Sequence, residues 1–134
     1  ETEATIQHDP MFYDTVINMA LHNAVEKNAE LLDVKKLVHK TEDQINVTGG
    51  GATDYGNVSY ACPGVMFYVE YGNNVTAHTP EYVALGKTEE ASNYLKNCAK
   101  IMAGVTYDFI TDETLRRDAK EEYLRRLREK GIEA

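Results

Sequence analysis

The stretch GGGATDYGNVSYACPGVMFYVEYGNNVTAHTP, residues 49–80, carries the features that decide the fold. Three consecutive glycines open it, and glycine serves where the backbone needs φ > 0 or a close approach. A Pro-Gly pair at 63–64 then interrupts the chain before residues 65–71, whose two sets of alternating side chains are both largely apolar. This pattern predicts a strand covered on both faces, as in an α/β sheet.

Helical patterns flank this stretch. Asp9-Pro10 is typical of a helix start, and apolar spacing predicts a helix over 10–32. Thr88 predicts the N-cap of a second helix over 89–110. A last helix is expected from Thr111 or Asp112 to Lys130, with Gly131 ending it. Residues 44–48 alternate with β-branched side chains and suit a short strand.

The predicted core faces follow the same periodicity. For the second helix, the expected core positions step by three and four: Ala91, Leu95, Cys98, Met102, Val105 and Phe109. For the last helix the expected face is thinner: Leu115, Ala119, Tyr123 and Leu127. The paired carboxylates Glu89-Glu90 and Glu121-Glu122 could be mistaken for a base and a metal ligand. Adjacent helical residues point about 100° apart, so both pairs are interpreted as solvated surface charge.

Composition bounds the class of protein. The 134 residues suit one domain, with 43% hydrophobic and 27% charged residues. A net charge of −8 argues against nucleic acid and anionic membrane surfaces as partners. No signal peptide or membrane-length apolar run is visible, and the two cysteines are widely separated. We therefore expect a cytoplasmic protein with reduced thiols.

His78 and the glycine loop are the candidate functional features. A neutral imidazole is a good zinc ligand, and His78 follows a predicted strand and turn. The alternative is an exposed or capping loop histidine. The loop Gly49–Gly51 with Asp54 could receive a substrate carboxylate or carbonyl through backbone N–H groups. Its alternative is a tight turn in which Asp54 caps a helix.

The run GGATDYGNVS (50–59) and the motif HTPEY (78–82), with a Pro-Gly-led strand between them, resemble the C-terminal part of the M20 family of metallopeptidases and amidohydrolases. The resemblance is strongest to the aminoacylase-like and aminobenzoyl-glutamate-utilisation-like branch. It implies an α/β fold with helices packed on a short sheet. It also implies hydrolysis of amide bonds in N-acyl amino acids or small peptides, with two zinc or manganese ions.

The resemblance also assigns site residues. His78 matches the family's last metal ligand. Residues lining or supporting the substrate end of the cleft are Gly50, Gly51, Thr53, Asp54 and Asn57. The family's His-x-Asp motif and its Glu-Glu pair with the base lie upstream of this region, and no His-x-Asp occurs here. We therefore assign no catalytic residue to this chain.

From this we expect residues 1–134 to form one segment, the C-terminal part of a catalytic domain. The lid or dimerisation domain and the N-terminal catalytic half are then absent, and the chain is expected to be inactive in isolation. Its partners would be a small amide or peptide substrate, a second copy, or the missing catalytic half. Two alternatives stay open: a non-catalytic self-associating structural module, and a small-ligand-binding α/β domain that uses the glycine loop.

Overall fold

The computed structural model describes residues 2–8, 11–34, 37–38, 42, 53–69 and 75–133. The elements in chain order are α1 (Met19–Leu31), β1 (Leu37–Val38), α2 (Tyr55–Ala61), β2 (Tyr68–Val69), α3 (Pro80–Leu85), α4 (Glu89–Thr111) and α5 (Glu113–Glu129). The two strands pair antiparallel, with Leu37 opposite Val69 and Val38 opposite Tyr68. The predicted strand at 44–48 and the glycines at 49–51 lie outside the described residues.

The core forms where α1 and α4 meet the strand pair. At its centre are Val25 and Ala29 of α1, Leu37 of β1 and Ile101 of α4. Partly buried side chains pack around this centre: Leu32, Val34, Val65, Phe67, Val69 and Val105. Burial of one such aliphatic side chain contributes about 1.5–3 kcal/mol. The core therefore ties residues 65–69 to the two helices.

The first helix begins later than the sequence predicts. Residues 11–18 are not helical, so the predicted helix over 10–32 is wrong for that part. Asn18 is the N-cap of α1: its Oδ1 accepts from the Leu21 N–H at 3.1 Å, and its Nδ2 donates to the Ala119 carbonyl at 2.8 Å. Asparagine side chains compete with helical backbone hydrogen bonds and favour caps, which explains the shifted start.

Helix α4 confirms the predicted bounds but only part of the predicted core face, since Val105 packs against the core. Thr88 caps it as expected, its Oγ1 accepting from the Ala91 N–H at 3.2 Å. Its buried residue is Ile101, whereas Leu95 and Met102 are exposed. The helix carries apolar residues on two faces, so periodicity alone could not identify the face that this chain buries.

Helix α5 confirms its prediction more closely. Asp112 caps it, with Oδ1 accepting from the N–H groups of Thr114 and Leu115 at 2.9 and 3.1 Å. Gly131, with φ of +77°, follows its last turn. Ala119 and Leu127 on the predicted face are buried. Through this face α5 packs on α1.

The strand predicted over 65–71 is shorter among the described residues. Only Tyr68 and Val69 pair, and the exposed Tyr68 side chain contradicts complete coverage of both faces. Residues 70–71 lie outside the described part. Among the described helices none is both long enough and apolar enough to cross a membrane. The cytoplasmic location stays a prediction.

Candidate functional site

His78 lies exposed in the turn that leads into α3. Its φ of +66° is uncommon for a residue with a side chain. The next residue, Thr79, fixes the turn: its hydroxyl donates to the Thr76 carbonyl at 2.8 Å and accepts from the Tyr82 N–H at 3.2 Å. The imidazole is thus presented to solvent from a hydrogen-bonded turn at a helix start.

Thr53 and Asp54 form the start of α2. Asp54 occupies the N-cap position, but its exposed side chain makes no capping hydrogen bond. The Thr53 hydroxyl accepts from the Tyr55 N–H at 3.2 Å instead. The alternative in which the Asp54 carboxylate caps the helix is therefore wrong. Gly50 and Gly51, the other predicted members of this loop, lie outside the described residues.

Asn57 uses its side-chain amide to hold the chain that precedes α1. Its Oδ1 accepts from the Tyr13 N–H at 2.9 Å, and its Nδ2 donates to the Met11 carbonyl at 3.1 Å. Both amide atoms thus have backbone partners. Asn57 therefore holds residues 11–13 against α2, and its predicted role beside a substrate stays a prediction.

Ser59 and Gly56 continue this contact along α2. The buried Ser59 hydroxyl accepts from the Val16 N–H at 2.9 Å and donates to the Gly56 carbonyl at 2.6 Å. A Cβ built on Gly56 would lie 2.0 Å from the Tyr13 carbonyl oxygen. The Gly-Asn-x-Ser part of the motif therefore docks residues 11–16 on α2, a role that the sequence analysis missed.

The predicted site residues do not form one bonded cluster in the described part of the chain. None of its hydrogen bonds or ion pairs joins His78 to Thr53, Asp54 or Asn57. Likewise, no group of three His, Cys, Asp or Glu side chains among the described residues could hold a metal ion. His78 can give one ligand, but these residues by themselves do not fit a complete metal centre.

A largely buried carboxylate on α5 is a second feature that the sequence analysis missed. Glu122 has only 13% of its side chain exposed, so its interpretation as surface charge is wrong. Its Oε2 accepts from the Ala20 N–H in the first turn of α1 at 3.0 Å. Arg126 pairs with Glu122 at 3.4 Å and with Glu42 at 2.5 Å, and lowers the pKa of Glu42. The pair with Arg126 has i,i+4 spacing along α5, whereas the bond to Ala20 joins residues 102 positions apart.

The end of α5 is tied to residues 13–14 by a smaller charged cluster. The Lys130 ammonium pairs with the Asp14 carboxylate, which also accepts from the Tyr60 hydroxyl at 2.5 Å. The hydrogen bonds from Lys130 and then Tyr60 lower the pKa of Asp14. This cluster joins α5, α2 and the segment before α1 at one place, which indicates a structural role.

Among the described residues, two side chains have only buried polar atoms and make no hydrogen bond through them. They are His22, which is 1% exposed and unbonded at both ring nitrogens, and Tyr55, which is unbonded at its hydroxyl. Burial raises the pKa of Tyr55 to about 12. A buried polar group without a partner costs about 1–3 kcal/mol, so substituting these side chains with apolar ones of similar shape is expected to be tolerated.

Comparison with known proteins gives a relationship over most of the chain. No family model matches the sequence. The human Xaa-Arg dipeptidase is 30% identical over 122 residues, which cover 91% of this chain and 27% of the human protein. The mouse Xaa-Arg dipeptidase is 29% identical over 132 residues, which cover 98% of this chain and 29% of the mouse protein. The chain thus spans little more than a quarter of the length of these curated relatives. The matches support a relationship to M20-type peptidases.

Proposed function

We propose that this chain is a segment of a metal-dependent peptidase that hydrolyses the amide bond of small substrates, and that dipeptides with a C-terminal arginine are its first candidates. The observation that carries the proposal is the similarity to two Xaa-Arg dipeptidases over 91% and 98% of the chain. N-acyl amino acids, expected from the aminoacylase-like resemblance, are the second substrate class.

Within this proposal, His78 contributes one ligand to a zinc or manganese ion. Its exposed imidazole and its fixed turn suit this role. The other ligands and the general base would come from outside the described residues, since a metal centre needs several protein ligands in a defined geometry. Gly50, Gly51, Thr53, Asp54 and Asn57 would line or support the substrate end of the cleft.

The predicted α/β architecture is part of the same proposal. β1 and β2 would be two strands of a larger sheet, with α1 and α4 packed on it. Because the relatives are more than three times as long as the matched region, the isolated chain is expected to be inactive. Its partner would be the polypeptide that corresponds to the rest of such a relative.

A graft tests the proposal. The whole chain replaces the matched 29% of the mouse Xaa-Arg dipeptidase. We expect the graft to hydrolyse a dipeptide ending in arginine in a chelator-sensitive reaction, and the chain alone to be inactive. His78→Ala should abolish the activity of the graft, whereas His8→Ala, at an exposed histidine outside the helices and strands, should preserve it. Turnover by the chain alone, or equal activity of His78→Ala and the unchanged graft, would overturn the proposal.

A further inference from the structure

One face of α4 carries uncharged, mostly apolar side chains and is open to solvent. Its members repeat at helical spacing of three and four: Ser92, Leu95, Ala99, Met102, Ala103, Thr106 and Ile110. All of them are exposed, and the three largest, Leu95, Met102 and Ile110, are 71%, 60% and 67% exposed. We call this set the outer face of α4.

The opposite side of α4 already has its partners. Ile101 is fully buried in the core, and Asp108 accepts a hydrogen bond from Asn28 of α1 at 3.0 Å. Gly104 lies so close to α1 that an added Cβ would be 2.0 Å from Asn28 Oδ1. At about 100° per residue, these positions lie roughly half a turn from the outer face. A helix that packs on the core with one side and carries a second, mostly apolar face on the other is typical of one covered by a further layer.

We propose that the outer face of α4 docks on the remaining polypeptide of a longer dipeptidase-like enzyme, at an apolar, uncharged surface of that polypeptide. This inference rests on the proposed relationship to longer peptidases. The curated relatives carry 71–73% of their sequence outside the match, since the match covers 29% and 27% of them, and this remaining sequence is long enough to cover the face. The alternation of large and small side chains suits close packing against a helix or a sheet.

A second copy of this chain is a poorer occupant. The face is about 27 Å long from Ser92 to Ile110 and about 10 Å wide, so its area is about 270 Å². A stable complex buries about 800 Å² on each partner, which is more than this face offers. The net charge of −8 also opposes association of two copies. Within one polypeptide, the high effective concentration lets such a small face contribute to a larger interface.

The experiment compares thiol labelling at one position of the outer face in two settings. Met102→Cys is made in the isolated chain and in the graft that carries the chain within the mouse dipeptidase. Arg117→Cys on α5, where the arginine side chain is 58% exposed, is the matched control. Labelling by a maleimide is resolved by peptide mass spectrometry, because Cys62 and Cys98 are free thiols.

We expect Met102→Cys to label rapidly in the isolated chain and at least about tenfold more slowly in the graft, because a buried thiol reacts only through local opening. Arg117→Cys should label rapidly in both. Equal rates for Met102→Cys in both settings would overturn the proposal. Protection of Met102→Cys that rises with the concentration of the isolated chain would also overturn it, in favour of a second copy.

A second variant guards against a misfolded graft. Leu95→Lys with Met102→Lys should leave the circular dichroism of the isolated chain unchanged, since both side chains are exposed there. In the graft the same pair should lower the melting temperature, and Val83→Lys, also at an exposed apolar position, should not. An unchanged melting temperature of the graft with both lysines would contradict the docking. Labelling and melting do not depend on hydrolysis, so an inactive graft with a protected Met102→Cys would reject the proposed function alone.

Discussion

Gly56 meets Tyr13 so closely that a Cβ at position 56 would lie 2.0 Å from the Tyr13 carbonyl oxygen. No real Cβ contact is this short, so only glycine fits between α2 and the segment before α1. The adjacent Asn57 and Ser59 then bond the same segment through their side chains. One short motif thus fixes the path of residues 11–16.

Gly56→Ala should destabilise the chain by about 1–3 kcal/mol, because overpacking forces the backbone of residue 13 away from α2. Gly86→Ala is the control, since a Cβ there would meet Val83 O at an ordinary 3.4 Å. We expect the control to change stability by less than about 0.5 kcal/mol. Urea unfolding followed by circular dichroism measures both. Equal stability of Gly56→Ala and the unchanged chain would contradict the close approach.

Ser59→Ala removes the acceptor of the Val16 N–H in a buried contact. An unsatisfied buried donor costs about 1–3 kcal/mol, so a loss of that size is expected in urea unfolding. The comparison is Ser92→Ala on the exposed side of α4, which should change the free energy of unfolding by less than about 0.5 kcal/mol. Similar losses for the two serines would argue against the docking role of Ser59.

Removal of a tyrosine hydroxyl should have opposite consequences at two sites. The Tyr55 hydroxyl is buried without a partner, whereas the Tyr123 hydroxyl donates to the Tyr60 carbonyl at 2.7 Å. We expect Tyr55→Phe to leave stability unchanged or raise it, and Tyr123→Phe to cost about 1 kcal/mol. In a spectrophotometric titration, Tyr55 should ionise only at about pH 12, because burial raises its pKa to that value. A stability loss in Tyr55→Phe would show that its hydroxyl has a partner.

The Asp14–Lys130 pair should make stability depend on acid pH. The pKa of Asp14 is lowered from 3.8 in the folded chain, so its stabilisation is present above that value and lost as the pH falls through the lowered one. Because 67% of the Asp14 side chain is exposed, the contribution is at most about 1 kcal/mol. The stability difference between the unchanged chain and Asp14→Asn should therefore shrink below pH 3.8.

The cause of that dependence can be tested separately. Lys130 provides the first of the hydrogen bonds that lower the pKa of Asp14. Lys130→Gln should therefore move the carboxyl titration of Asp14, followed by NMR, back toward its ordinary value. An unchanged titration in Lys130→Gln would assign the shift to Tyr60 instead.

The sequence predicted those elements whose signals are local. Thr88 and Asp112 cap α4 and α5 as expected, because a capping side chain bonds N–H groups only two or three residues away. The predicted start of α1 was wrong, because the residues that determine it are distant from one another in the sequence. Asn18 bonds Ala119, and Tyr13 bonds Asn57, contacts that no local pattern records.

The candidate site likewise has features with local signals and features that depend on distant contacts. His78 was expected after a strand and a turn, but the helix α3 that begins shortly after it at Pro80 was not predicted. The docking role of Gly56 and Ser59 was not predictable, because it needs the segment at 11–16 to lie against α2. The exposure of Leu95 and Met102 was also missed, since periodicity marks an apolar face without naming what covers it.

The metal content of the graft shows whether His78 is a metal ligand. The graft with this chain in the mouse dipeptidase would be dialysed against zinc or manganese, and its metal per polypeptide measured by elemental analysis. We expect His78→Ala to hold less metal than the unchanged graft, and His8→Ala to hold the same amount. Equal metal in the His78→Ala and unchanged grafts would contradict the account, because the imidazole would then not be a ligand.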